Sequence, residues 1–449
     1  MGYRLHQQGV RIRFVADAFS IHISPPAERP DPQKPVRSMR NFRRLFEKHP
    51  EFAMTTRRWS SETLARIDAW ARNCNVDIQE DVRYVSAKLA LPGAPALRTK
   101  PKRLRVLTYR WHVPHQYELY KLPFDFTLVT HLGSPMSDKW DYSQRPFPVN
   151  ARMVEAAKVD PKDFDLAILH FDENVLAPEN TNGVIGPEWG AAFRWFLENV
   201  RLPSIAVCHG TPQFHGQYRP AYSGADLMQP IEAERIRLVQ ALANVMVVCN
   251  SHQAEAEWRF QRSRTIWHGF DPAEFPPATY ERGILSPLGP LVMSRPHYRG
   301  YYVYRQVFDG LQDELRPHSL HVAEPHFAYT GNAFAEAKYR LYVNQIRRYS
   351  VYFNPTLRSP MPRARTEPMM CGVVPVSAKN HDVDRYIKNG VNGFYSEDPR
   401  ELREQLMFLH KNPAAVRRIG AEARRTACMV FNYDRYLTEW TAMAGEVAG

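Results

Sequence analysis

From about residue 103 onward, short apolar runs recur at regular spacing, each leading into turn residues and then an amphipathic stretch. They read "RLRVLTYR", "FDFTLVTH", "DLAILHFD", "PSIAVCHG", "NVMVVCNS" and "RTIWHGF". A strand covered on both faces has no polar alternation, and parallel neighbours need a crossover segment between them. That rhythm predicts a doubly wound α/β sheet. A second set follows "PLGP": "PLVMSRP", "HSLHVAEP", "YSVYFNP", "GVVPVSA" and "NGFYSED". The expected architecture is two Rossmann-like domains facing across a cleft, with an N-terminal extension. We place the extension at 1–100, the first half at 101–275, the second at 276–430, and a helix crossing back to the first half at 431–449.

Open sheets of this kind bind ligands beyond the carboxyl ends of their strands. Several runs end there in polar groups: His209 and Gly210, Asn250 and Ser251, His268 and Gly269, and Arg295. Two halves can turn these ends toward each other, and clefts between domains are favoured small-molecule sites.

Charge is unevenly distributed. Residues 1–150 hold 25 Lys and Arg against 14 Asp and Glu, a balance of +11 out of +12 for all 449 residues. A basic third suits anionic lipid headgroups, a polyanionic acceptor or nucleic acid, and equally a solvated surface. No apolar run reaches the ~20 residues that span a bilayer, and "MGYRLHQQGV" lacks a signal-peptide core, so a cytoplasmic chain is expected. Any membrane contact would then be peripheral, at the inner face. Five cysteines, Cys74, Cys208, Cys249, Cys371 and Cys428, are widely spaced with no CxxC, which fits reduced thiols without structural zinc.

One stretch, "RSPMPRARTEPMMCGVVPV" (358–376), concentrates the chemistry. Thr366 can cap a short helix, with Pro368 in its first turn and Gly372 at its end, which puts Glu367 at the helix N-terminus. A carboxylate there favours the helix dipole whether or not it meets a ligand.

The ordered set of motifs resembles the retaining glycosyltransferases of GT-B fold. "VVCNSHQAEAEW" (247–258) is similar to that family's Ser-rich strand end and helix, and "TIWHGFDPAEFPP" (265–277) to its strand-to-linker signature. "SRPHYRGYY" (294–302) resembles the loop that holds the donor diphosphate, "TEPMMCGVVPV" the Glu-containing signature, and "IKNGVNGFYSEDPRELREQL" (387–406) the Asn-Gly-x-Asn-Gly turn, strand and helix. The match runs collinearly over roughly residues 103–443. The resemblance implies a hexosyltransferase that moves a sugar from a nucleotide diphosphosugar to a glycan or lipid-linked acceptor, with retention of configuration, in surface-polysaccharide assembly. Other readings are transfer to modified DNA bases and an inactive nucleotide-sugar binding or scaffolding module.

Carried onto this sequence, the resemblance gives Arg295 and Arg299 to the diphosphate, with His209 beside the donor sugar and acceptor. Glu367 would accept the ribose hydroxyls, and Arg363, Arg365 and Thr366 would meet phosphate. Ser359 departs from the pattern: it stands where the family has a first glutamate. Ser294 replaces the usual Gly and Arg299 the usual Lys, with one intervening residue fewer. His112 and His115 fall where the family has a Gly-rich acceptor-side loop, which predicts a bulkier one, and His268 is expected to be structural. The acidic residues and histidines lack metal-site spacing, so donor binding is expected to need no metal and no cofactor. "GYRLHQQGVRIRFVADAFSIHI" is similar to the last strand and helix of a GT-A domain, with His22 near that domain's terminal His. The nucleotide-binding strands and Asp-x-Asp of such a domain are missing, so the segment reads as a remnant, the edge of a longer fused protein, or a plain hairpin arm.

Overall fold

The computed structural model describes residues 103–175, 187–215, 228–230, 232–286, 296–311, 315–320 and 331–449. The chain divides into two compact units, 1–102 and 103–449, and the second holds every described residue. The GT-A-like segment with His22, the "PLVMS" run, Ser294 and Arg295 lie outside the described residues.

The first half is built on β1 (Arg105–Thr108), α1 (Val113–Leu119), β2 (Asp125–Thr130), β3 (Ala151–Glu155), β4 (Leu166–Phe171), α2 (Ala191–Asn199) and β5 (Ser204–Cys208). A small antiparallel pair, β6 (Gln213–His215) with β7 (Met228–Pro230), precedes α3 (Glu232–Ala241), β8 (Met246–Cys249), α4 (His252–Trp258) and β9 (Ser263–Thr265). Seven strands form one parallel sheet in the order β3-β2-β1-β4-β5-β8-β9.

The second half comprises β10 (Arg282–Ser286), α5 (Pro296–Arg299), α6 (Tyr301–Phe308), β11 (His318–Ser319), α7 (Asn332–Ile346) and β12 (Tyr349–Asn354). It continues through α8 (Arg363–Cys371), β13 (Val374–Ala378), α9 (Val383–Tyr386), β14 (Phe394–Ser396), α10 (Pro399–Lys411) and α11 (Pro413–Val430). Its parallel sheet runs β11-β10-β12-β13-β14. The last helix, α12 (Tyr433–Ala448), returns to the first half.

The apolar runs are continuous because alternate residues serve opposite faces of one sheet. Leu107, Ala167, Leu169, Ala206 and Val247 pack with Phe193, Leu238 and Trp258 of α2, α3 and α4. Their neighbours Val106, Leu166, Ile168, Ile205 and Val248 pack instead with Val113 and Leu119 of α1 and with Tyr436, Trp440 and Met443 of α12. The second sheet divides likewise: Leu285 and Tyr352 pack toward α7, α8 and α11, and Ile284, Val351 and Phe353 toward α6 and α10.

Three strands differ from expectation. β9 ends at Thr265, and "IWHGF" continues as linker whose Phe270 N–H donates to the Phe431 carbonyl at 3.1 Å. β10 lies ahead of "PLGP", on "RGILS". β3, "ARMVE", is an edge strand; only half-buried, it carries little of the apolar signal that marks the others.

Candidate active site

Helix α8 starts at Arg363, earlier than its sequence suggests. Pro362 precedes it, so Glu367 is its fifth residue and Pro368 its sixth, inside the helix. Thr366 is not the cap; its hydroxyl donates to the Arg363 carbonyl at 3.2 Å. Gly372 does end the helix, in the left-handed region at φ 87°. The shift matters because residues four apart share a helix face. Arg363 and Glu367 point the same way, and Arg365 and Thr366 elsewhere. Arg365 is fully buried over the Tyr386 ring, with its Nη1 3.4 Å from the Ser377 hydroxyl. Neither Arg365 nor Thr366 lines either cavity of the cleft.

Glu367 is buried within an ion-pair chain that joins the two halves. Its Oε1 accepts from Arg363 Nε and from Arg145 Nη2, each at 2.9 Å, and its Oε2 accepts from the Tyr342 hydroxyl. Arg363 Nη2 also donates to Glu118 Oε1 of α1 at 3.0 Å. Lys121 reaches both Glu118 and Glu274 at 2.7 Å. Arg145 lies over the Tyr339 ring, its guanidinium carbon 4.0 Å from the centroid. Three cations and three carboxylates therefore alternate and neutralise one another. Burial alone would raise the Glu367 pKa, but Arg363, Arg145 and the Tyr342 hydroxyl hold it below the ordinary carboxylate value.

Two cavities adjoin along the start of α8. One, about 290 Å³, is lined by Glu367, Arg363, Arg145, Tyr339, Tyr342 and Lys338. The other, about 340 Å³, lies where the carboxyl ends of the two sheets converge. From the first half it takes His112 after β1, Asp172 after β4, His209 after β5, Asn250 after β8 and His268 in the linker. From the second half it takes Tyr298 and Arg299 of α5 and the turn from Ser359 to Arg363. Gly300 follows Arg299 at φ 71°, where a Cβ would come within 1.7 Å of the Pro355 carbonyl oxygen. No other residue fits that approach, which fixes how α5 presents Arg299.

The histidines converge here. His170 Nδ1 is 3.1 Å from His209 Nε2, and the His115 ring stands 5.0 Å from those of both His209 and His268. Burial, then the neighbouring imidazoles, brings His115 and His209 well below the usual pKa, and burial brings His170 to about 3. His112 shifts down toward about 4, through burial and then Arg363, Arg299 and Arg145; water reaching its ring from the cavity tempers that fall. These rings are neutral at physiological pH.

Residues 316–442 match a family described as "Glycosyl transferase-like". No curated protein matches the chain. Among solved structures, sucrose-phosphate synthase from Thermosynechococcus elongatus superposes with a TM-score of 0.52 at 13% identity, over 77% of this chain and 99% of that one. The fold is GT-B. A glycosyltransferase from Rickettsia africae ESF-5 also matches, at 0.48, 13% identity, and 77% and 99% coverage. Anabaena HepE in complex with UDP-glucose gives 0.46 at 12% identity, over 77% of this chain and 100% of that one.

Of the residues singled out from sequence, this GT-B cleft gathers His209, Arg299, Ser359 and Arg363 on the larger cavity and Glu367 with Arg363 on the smaller. Arg145, Tyr342 and Glu118 were not visible, because 222 residues separate Arg145 from Glu367 and no local pattern joins them. His170 left one usable sign, a histidine inside the otherwise apolar "LAILHF". His268, expected to be structural, lines the larger cavity.

Proposed function

We propose that the protein is a glycosyltransferase that moves a hexosyl group from a nucleotide diphosphosugar to a glycan or lipid-linked acceptor, with retention of configuration, in surface-polysaccharide assembly. The observation that carries this reading is the larger cavity: Arg299 and Arg363 enter from one half and His209 with His112 from the other, at the strand ends where such sheets bind ligands. The GT-B fold and the glycosyl transferase-like match over 316–442 agree with it.

In this reading Arg299, with Arg295 four residues before it in the sequence, neutralises the diphosphate as the glycosidic bond breaks; a guanidinium offers a planar fork suited to phosphate oxygens. Protein cations then hold the donor, and no metal is needed for its binding. His209, neutral, accepts a hydrogen bond from a sugar or acceptor hydroxyl. Glu367 meets the ribose. A carboxylate offers about four lone-pair positions, and Arg145, Arg363 and Tyr342 take three. Holding two hydroxyls therefore requires one partner to move aside, so donor entry and release of the Arg145 contact are linked. The basic excess in the sequence of residues 1–150 favours an anionic acceptor or peripheral contact with an anionic membrane.

Thermal shift and donor hydrolysis across nucleoside diphosphates and their sugars test the reading. One nucleotide is expected to raise the melting temperature, with binding retained in excess chelator. Arg299→Ala is expected to weaken it ~10- to 100-fold, corresponding to the ~1.5–3 kcal/mol of a charge-assisted hydrogen bond. No binding and no turnover with any donor would refute the assignment, while binding without turnover would select a nucleotide-sugar binding module.

A further inference from the structure

We infer that His115, His170 and His209 form a binding site for one divalent transition-metal ion of the zinc class. The three come from separate elements, the first turn of α1, the strand β4 and the turn after β5. Each offers one ring nitrogen, and these atoms all lie within 4.8 Å of one another. Nitrogens that share a tetrahedral ion at ~2.0–2.1 Å sit about 3.4 Å apart. The His170–His209 separation of 3.1 Å is already close to that spacing. The His115 nitrogen lies within 4.8 Å of both.

The chemistry of the donors selects the metal. Three imidazoles suit zinc, cobalt, nickel or copper, whereas magnesium, manganese and calcium prefer oxygen. Among the described residues, His115 Nδ1, His170 Nε2 and both nitrogens of neighbouring His268 are buried without a hydrogen-bond partner. Such orphaned groups are costly, and an ion among the rings would give one of them a partner.

The site has an open side. His115 and His209 both line the larger cavity, and Asp172 lines it beside them. Three protein nitrogens with a fourth position turned to a cavity is the arrangement that leaves room for an exchangeable water or hydroxyl. In the transfer reading the donor is held by Arg299 and Glu367 and not by this ion, so donor binding is expected to survive chelator. The test uses no donor, so its outcome is read separately from that of the transfer reading; with the ion bound, His209 would meet a hydroxyl only as a donor through its other ring nitrogen.

The test is metal titration of the full chain after chelator treatment and dialysis. Cobalt(II) is expected to give the visible d–d bands of a tetrahedral nitrogen-rich site, saturating at one ion per chain and displaced by zinc(II). His115→Gln and His170→Gln, checked for folding by circular dichroism, are each expected to weaken binding at least tenfold, and His410→Gln on α10 to leave it unchanged. The spectrum of the unsubstituted chain decides even if a variant fails to fold. Absence of those bands, several weak ions per chain, or binding unaltered in both cluster variants would overturn the site.

Discussion

At the scale of single residues the decisive balance is at Glu367. A carboxylate this deeply buried is unfavourable alone, and it is offset only by the two guanidiniums and the phenol around it. Glu367→Gln keeps the shape and removes the charge, leaving buried Arg145 without its carboxylate and Arg363 with Glu118 alone. The expected cost is about 3–5 kcal/mol at neutral pH, the range for breaking a buried pair. The sign with pH follows from a folded-state pKa depressed below the ordinary 4.5. Such a group contributes its full stability above the unfolded value and loses it as pH falls through the lower folded one. Denaturant unfolding should therefore show the difference between the two proteins intact at pH 7 and narrowing in acid below about pH 4.5. A gap that stays constant into strong acid would show that the charge is not what Glu367 contributes.

At the scale of elements, α12 seals one face of the first sheet. Tyr436, Trp440, Met443 and Ala444 recur at helical spacing and pack on Val106, Leu166, Ile205 and Val248. Trp440 is fully buried, so Trp440→Ala is expected to cost about 3–5 kcal/mol through lost contacts and the cavity left behind. Chemical denaturation should show a lower midpoint, and an unchanged one would mean that the helix is not docked in solution. The inner strands of this sheet were legible in the sequence, since a strand covered on both faces announces itself as an unbroken apolar run, whereas the edge strands β3 and β9 were not. α8 was less so. Proline favours the first helical turn, so Pro368 read as a start; the helix instead accepts it as its sixth residue, losing one hydrogen bond to the Ala364 carbonyl. Tertiary contacts outweigh that loss, because only a helix begun at Arg363 puts Arg363 and Glu367 on one face beneath Arg145. Local propensity carries no information about a partner contributed by the other half. The histidine cluster was hidden for the same reason: His115, His170 and His209 have no metal-site spacing, and only the sheet order brings them together.

At the scale of the whole 103–449 unit, the two halves are tied by polar contacts around a narrow crossing. The chain passes between them twice, at Phe270 and at Phe431, and those two passes touch each other. On one side Asp382 accepts from the backbone N–H groups of His252 and Gln253 and from Trp267 Nε1. On the other, Arg145 joins Glu367, and Asn332 exchanges two hydrogen bonds with the backbone of Phe147. Polar ties around a thin crossing can be exchanged for ligand contacts, whereas a broad apolar interface would resist opening. Arg145→Ala removes one of the buried ties, and its effect should appear as closure lost rather than as unfolding. Hydrogen exchange in residues 140–150 and in α7 is expected to quicken by tenfold or more, since each ~1.4 kcal/mol is tenfold in an opening equilibrium. Nucleotide affinity should hold or rise, because a Glu367 oxygen is freed for the ribose. Exchange that does not change would mean that Arg145 does not hold the halves together, and a fall in affinity would make it a donor contact and not a latch.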